Sequence, residues 1–285
     1  MSCDCGGRAE FETGLFEGFG FRHLASVIRR FFLLSLTLFL FVACDRKGRK
    51  PLRVGMDMSY PPFEMRDTQG NPAGVSVDLA RALGEDCGRE VEFENMPFDG
   101  LIPALKTGRV DMVISSMTAT EERAQSIDFS EPYWRTGLCL LTAAKSDIRS
   151  AADLDQAGRK VAVVRATTGE LWAKGSLRRA EVLSLPKETA CVLEVTQGKA
   201  DAFIYDQMSI FKHWQRNPDT TRPILQPFQQ ESWAIGLRHG NDALKSQVNE
   251  FLKSFRAAGG FDRLGDKYLK EEKEAFQKLG IPFLF

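Results

Sequence analysis

Ser115, Ser116, Thr118 and Arg123 stand close together in the segment from Asp99 to Trp134, and their side chains suit a small carboxylate. Hydroxyls and free backbone N–H groups supply directional donors, and a guanidinium grips both carboxylate oxygens at once. Asp57 and Asp206 each fall at or just beyond the C-terminal end of an expected strand, which is where open α/β sheets place their ligands. Two acids and one arginine facing a cleft complement a zwitterion that carries an extra cationic or amide group. Thr167-Thr168-Gly169-Glu170 has capping-box spacing at an expected helix start, and the same helix terminus can serve an anion. The chain has no nucleophile elbow, phosphate loop or paired-cysteine redox motif, so these residues point to binding rather than catalysis. His213 and His239 lack metal-like spacing, and neither a metal nor another cofactor is expected.

The elements that must position these residues alternate. Asp99 is expected to cap a helix over Leu101–Lys106 that Gly108 ends, and Met112-Val113-Ile114 reads as a buried parallel strand. Thr118 and Glu121 then have capping-box spacing. Strands are expected at 52–56, 91–95, 112–115 and 138–141, with helices at 77–83 and 101–106 between them. A second series follows Ser150, with strands at 160–164, 181–183 and 202–205 and helices near 168–174, 187–197 and 207–214. One more strand at 233–237 precedes long helical patterns over 242–258 and 261–274. This order gives an α/β fold of two similar lobes. Residues 52–142 with 234–285 form the first lobe and 146–231 the second, and the chain crosses near Thr142–Lys145 and again near Trp233–Gly236. Two such crossings make a hinge that closes on a ligand held between the lobes.

At 285 residues, with 43% apolar and 27% charged residues, the chain has the make-up of a globular protein. A formal net charge of zero, without a basic aromatic patch, excludes a nucleic-acid partner. Arg29-Arg30 is followed by an apolar run to Phe41 and then by Val42-Ala43-Cys44, which reads as a signal peptide over residues 1–43 ending in a lipobox. Cys44 becomes the lipidated first residue and 44–51 a polar tether, so the body lies in the periplasm or at the outer face of the membrane. Residues 1–26 serve no leader function, and translation is expected to begin nearer Val27. Cys87, Cys139 and Cys191 then remain; an odd number excludes a full disulfide framework, and all three are expected as small buried residues.

The strings GMDMSYPPFE from Gly55, GVSVDLA from Gly74, LIPALKTGRVDMVISSMTATEERAQSIDFSEPYW from Leu101 and VAVVRATTGE from Val161 resemble the family 3 solute-binding proteins. The resemblance covers Leu52 to Tyr268. It implies a two-lobe periplasmic binding protein, type II-like and monomeric, that closes on a polar amino acid and delivers it to the permease of an ABC importer. It also implies residue roles. Arg123 matches the arginine that grips the ligand α-carboxylate, assisted by Thr118, the amides around Ser116 and, from the second lobe, Thr168. Asp206 matches the acid that takes the α-ammonium, with Ser115 and Thr118 nearby. Tyr60 and Phe98 match the aromatic pair that sandwiches the ligand side chain, although Phe98 also fits a hydrophobic staple. Asp57 matches the acid at the far end of that side chain.

Two positions depart from the family pattern. Val164 stands where relatives that prefer glutamine carry lysine, and Ala166 stands where glycine is usual. Loss of that cation with Asp57 kept favours arginine, lysine, ornithine or histidine, with glutamine as the alternative; Arg165 would invert this if it pointed inward. A few proteins of similar sequence are dehydratases of cyclic carboxylic acids, and a sensor or adhesin on the same fold is a third reading. Glu64 reads as structural. The tail from Glu271 to Phe285 carries an apolar end expected to pack on the first lobe.

Overall fold

The structure, a computed structural model, describes residues 50–281; the expected signal peptide and Cys44 lie outside them. The first lobe begins with β1 (Leu52–Met56), the hairpin of β2 (Met65–Arg66) and β3 (Pro72–Ala73), α1 (Val75–Asp86) and β4 (Val91–Asn95). It continues through α2 (Leu101–Thr107), β5 (Met112–Val113), α3 (Glu121–Ala124) and β6 (Asp128–Phe129). Leu52, Val54 and Met56 on one face of β1 are wholly buried, and on the other Gly55 lies buried against Val110 and Leu101, so the strand is covered on both faces. Gly74, at φ 121°, starts α1 so close to the Phe63 carbonyl that a Cβ would collide with it.

The second lobe contains β7 (Trp134–Ala143), β8 (Lys160–Val164), α4 (Thr168–Ser176), β9 (Glu181–Leu185), α5 (Glu188–Thr196), β10 (Ala202–Asp206), α6 (Gln207–Arg216) and β11 (Thr221–Trp233). The chain then returns to the first lobe as β12 (Gly236–Leu237) and finishes with α7 (Asp242–Ala257), α8 (Gly260–Tyr268) and α9 (Lys270–Lys278). The two sheets have the strand orders β4-β1-β5-β12-β6 and β11-β7-β10-β8-β9. This is the two-lobe α/β architecture that the sequence implies.

Four details differ from the sequence reading. Leu138–Leu141 belongs to the second sheet, not the first, because β7 pairs with β10 and β11. The first crossing therefore lies at Ser130–Tyr133, before one continuous strand that the sequence reading began only at Leu138. There the Ser130 amide donates to the Ile235 carbonyl and the Tyr133 amide to the Trp233 carbonyl, each at 3.0 Å. Second, the long strand β11 is missed because Pro223, Pro227 and several glutamines make it look like a loop. It tolerates the prolines as an edge strand with a register shift between Ile224 and Gln229. Third, the helical pattern over 261–274 breaks at Leu269, whose φ of −132° is not helical. Fourth, α9, the start of the expected tail, packs on the second lobe: Phe276 stands edge-on to Phe211 of α6 at 4.9 Å, and Glu272 pairs with Lys212 at 2.8 Å, while residues 282–285 of the apolar end lie outside the described residues.

The crossings are locked by rings. Trp134 and Trp233 stack at 5.7 Å, and both meet Phe63 edge-on, at 5.1 and 5.0 Å. Tyr60 stacks on Phe63 at 5.4 Å, so the hinge cluster runs directly into the floor of the cleft.

Candidate functional site

Asp57, Tyr60, Phe98, Ser115, Ser116, Thr118, Arg123, Thr168 and Asp206 all line one cleft between the lobes, about 690 Å³ including its open mouth. The cleft forms where β1, β5 and β10 end, because a parallel sheet delivers its strand C-termini to one edge.

Asp57 is held rigidly by its neighbours. Its Oδ1 accepts from the Ser59 amide at 3.1 Å and the Ser59 hydroxyl at 2.6 Å, and its Oδ2 accepts from the Phe98 amide at 3.1 Å. Its own amide donates to Ser115 Oγ at 2.9 Å. Phe98 opens a single 3₁₀ turn before α2, and Asp99 caps nothing; it instead reaches Arg165 across the lobes at 3.8 Å. Arg165 therefore points to the mouth of the cleft rather than inward.

Arg123 is buried at 7% exposure. The helix carrying it is capped by Thr120, whose hydroxyl accepts from the Arg123 amide at 3.2 Å, and not by Thr118 as its spacing suggested. Among the described residues, the Arg123 side chain donates to two carbonyls, Thr118 at 2.7 Å and Ala166 of the other lobe at 2.9 Å, and forms no ion pair with a carboxylate. Burial pulls its pKa down from the ordinary value, with the charge of Glu231 opposing. The guanidinium lies over the Phe98 ring at 5.4 Å, a cation–π contact. Ala166 presents its carbonyl from the left-handed region, at φ 61°, a conformation that costs a non-glycine residue roughly 1–2 kcal/mol. The expected box at Thr167 is not made. Glu170 accepts from the Ala166 amide at 2.7 Å, while the Thr167 hydroxyl donates to the Val164 carbonyl.

Asp206 ends β10 and caps α6, accepting from the Ser209 amide at 3.1 Å. Burial pushes its carboxyl up to about 6, the charges of Glu188 and Glu231 adding to the effect. Neither Asp57 nor Asp206 has a cationic partner among the described residues.

The sequence reading missed Glu188, Glu231, Lys187, Tyr205 and Trp233, which also line the cleft. Glu188 accepts from Ser209 Oγ at 2.8 Å and lies 3.3 Å from His213 Nε2. Ser209 thus braces Asp206 and Glu188 together. Glu188 falls at the start of an expected helix, and nothing local marks it as facing a ligand.

Ser116, at φ 47°, donates to both oxygens of Glu64, at 2.9 and 3.1 Å. Glu64 is completely buried, which pushes its carboxyl from the usual 4.5 up to about 8, with Ser76 and Ser116 opposing. It and Asp206 both hold their protons more tightly folded than unfolded. Their contribution to stability is therefore greatest at low pH and is lost as pH rises, between 4.5 and about 8 for Glu64 and between 3.8 and about 6 for Asp206. Glu64→Gln is expected to flatten this decline in melting temperature between pH 5 and 8; parallel profiles for the two proteins would contradict the burial argument.

Residues 52–271 match the bacterial extracellular solute-binding proteins, family 3. The chain belongs to this family. It is 30% identical over 232 residues to the L-arginine-binding protein of Pseudomonas aeruginosa, covering 77% of this chain and 88% of that protein. An ancestral arginine-binding protein solved with arginine superposes with a TM-score of 0.71 at 33% identity, over 78% of this chain and 99% of that one. An ancestral amino-acid-binding protein described as a precursor of cyclohexadienyl dehydratase gives a TM-score of 0.70 at 35% identity, over 76% of this chain and 95% of that one. Like the rest of family 3, this solute-binding protein offers its cleft between two lobes. Its lining is strongly acidic, with Asp57, Glu188, Asp206 and Glu231 set against Arg123 and Lys187.

Proposed function

We propose that this protein binds a basic amino acid outside the cytoplasm and delivers it to an ABC importer. The observation that carries the reading is a buried arginine that, among the described residues, has no carboxylate partner, in a cleft where Asp57 and Asp206 have no cationic one. Arg123 would take the α-carboxylate, Asp206 the α-ammonium and Asp57 the distal cation, with Tyr60 and Phe98 flanking the side chain. The names of arginine-binding relatives support the same ligand class. Ligand contacts to both lobes favour the closed form, which the permease then recognises. The leader through Cys44 supports a lipid anchor at the outer face of the membrane.

Asp57→Asn tests the ligand class. We expect affinity for arginine to fall by roughly tenfold or more while affinity for citrulline, its neutral analogue, changes little, since a charge-assisted hydrogen bond is about twice as strong as a neutral one. Equal losses for both ligands would remove the specificity role.

The dehydratase reading needs an acid able to donate a proton, and Asp206, pushed up to about 6, is a candidate. Release of an aromatic product from prephenate or arogenate would favour it over binding alone.

A further inference from the structure

Helices α8 and α9 are fastened to different lobes. Lys267 Nζ and Tyr268 Oη both donate to Asp78 Oδ2, at 2.6 and 2.7 Å, and pin the end of α8 to α1 of the first lobe. The helical run then breaks at Leu269, which is wholly buried and holds φ at −132°. Beyond the break α9 lies against α6 of the second lobe. Glu272 and Phe276 are four residues apart and so share one face of α9. They meet consecutive residues of α6, Lys212 at 2.8 Å and the Phe211 ring at 4.9 Å. Both rings are buried, and the Lys212 and Glu272 side chains are only 18% and 12% exposed, so the ion pair is not a solvated surface pair. Phe276 and Ile281 also line a cavity with Trp134, Gln207 and Met208, beside the first crossing.

The chain therefore connects the lobes a third time. The two crossings are backbone and survive any rotation of the lobes, whereas α9 reaches α6 through side chains. Helix α6 moves with the second lobe, because it follows β10 and packs on β7 and β11. Helices α1 and α8 pack together and move with the first. Opening the cleft must then either break the α6–α9 contact or bend the chain at Leu269. The lobes meet across the cleft, Arg123 with the Ala166 carbonyl at 2.9 Å and Arg165 with Asp99 at 3.8 Å, so α9 grips α6 in the closed arrangement.

We propose that α9 is a strap that parts from α6 as the lobes separate, so that the contacts of Glu272 with Lys212 and of Phe276 with Phe211 set how readily the cleft opens. This role holds whichever ligand the cleft takes. A contact made only in the closed form raises affinity without touching the ligand, because apparent affinity scales with the fraction of protein in the competent form. It acts on release more than on capture, since the ligand enters an open form that the strap has already left.

The test uses Glu272→Gln, Phe276→Ala and the charge exchange of Lys212→Glu with Glu272→Lys, each in the whole protein. Stopped-flow measures L-arginine release, and small-angle scattering measures the radius of gyration without ligand. Release should quicken about fivefold in Glu272→Gln and about tenfold or more in Phe276→Ala, with a nearly unchanged association rate, and the charge exchange should restore the wild-type rate. A larger ligand-free radius in either single variant supports the strap in the same way. Glu272→Gln keeps the test open if Phe276→Ala fails to fold. Variants that lose stability in urea while release and radius both stay at wild-type values overturn the strap and leave α9 as packing on a chain that bends at Leu269. A wild type that does not bind arginine counts against the function proposed above, and the radius then decides the strap alone.

Discussion

Asp206→Ala is expected to lower affinity for every α-amino acid by roughly two to three orders of magnitude, the cost of removing one partner of a buried charge pair. The group it contacts, the α-ammonium, is common to all such ligands, so the loss should not depend on the side chain. Folding should suffer little. Alanine removes the cap on α6, worth about 1 kcal/mol, but it also removes a carboxyl whose ionisation burial disfavours. Calorimetry with arginine, lysine and glutamine, alongside the melting temperature of the ligand-free variant, checks both halves. A loss confined to one side-chain class would assign Asp206 to specificity instead of to the shared end of the ligand.

Trp233→Ala should have the largest effect on stability, about 3–5 kcal/mol, the range for truncating a buried tryptophan. Its ring is 2% exposed and touches Trp134 at 5.7 Å, Phe63 at 5.0 Å and Tyr60 at 6.0 Å. These partners come from both crossings and from the loop that carries Tyr60, so the cavity opens at the hinge and beneath the cleft together. Urea unfolding gives the magnitude. A loss under about 1 kcal/mol would mean that the cluster can collapse around the gap and that the hinge is held elsewhere.

Much of this architecture was legible in the residues. The segments at 52–56, 91–95 and 160–164 are strands with those bounds: 160–164 is a largely apolar run in the middle of its sheet, and 91–95 alternates Val, Glu, Phe, Glu and Asn as a partly exposed edge strand does. Asp57, Arg123 and Asp206 were traceable because they follow strand ends or sit in one compact motif. What escaped was nonlocal. Glu231 and Trp233 reach the cleft through β11, whose prolines and glutamines disguise a strand that only its partner β7 makes regular. Glu188 faces the ligand space because α5 docks on β8 and β10, a fact of packing rather than of local pattern. The first crossing was misplaced for a similar reason: only the pairing of β7 with β10 and β11 shows that the chain has already changed sheets by Trp134. The caps at Thr118 and Asp99 failed because nearby residues, Thr120 and the 3₁₀ turn at Phe98, occupy those helix starts.

The central claim is that the cleft selects a cationic amino acid. A thermal-shift screen of the protein against the common amino acids and ornithine tests it most directly, because a ligand at a hundredfold excess over its Kd adds about 2.7 kcal/mol to the native state. A rise in melting temperature with arginine, lysine, ornithine or histidine, and not with acidic or small neutral amino acids, is the predicted result. No rise with any of them, or a rise with glutamate or aspartate, would contradict it.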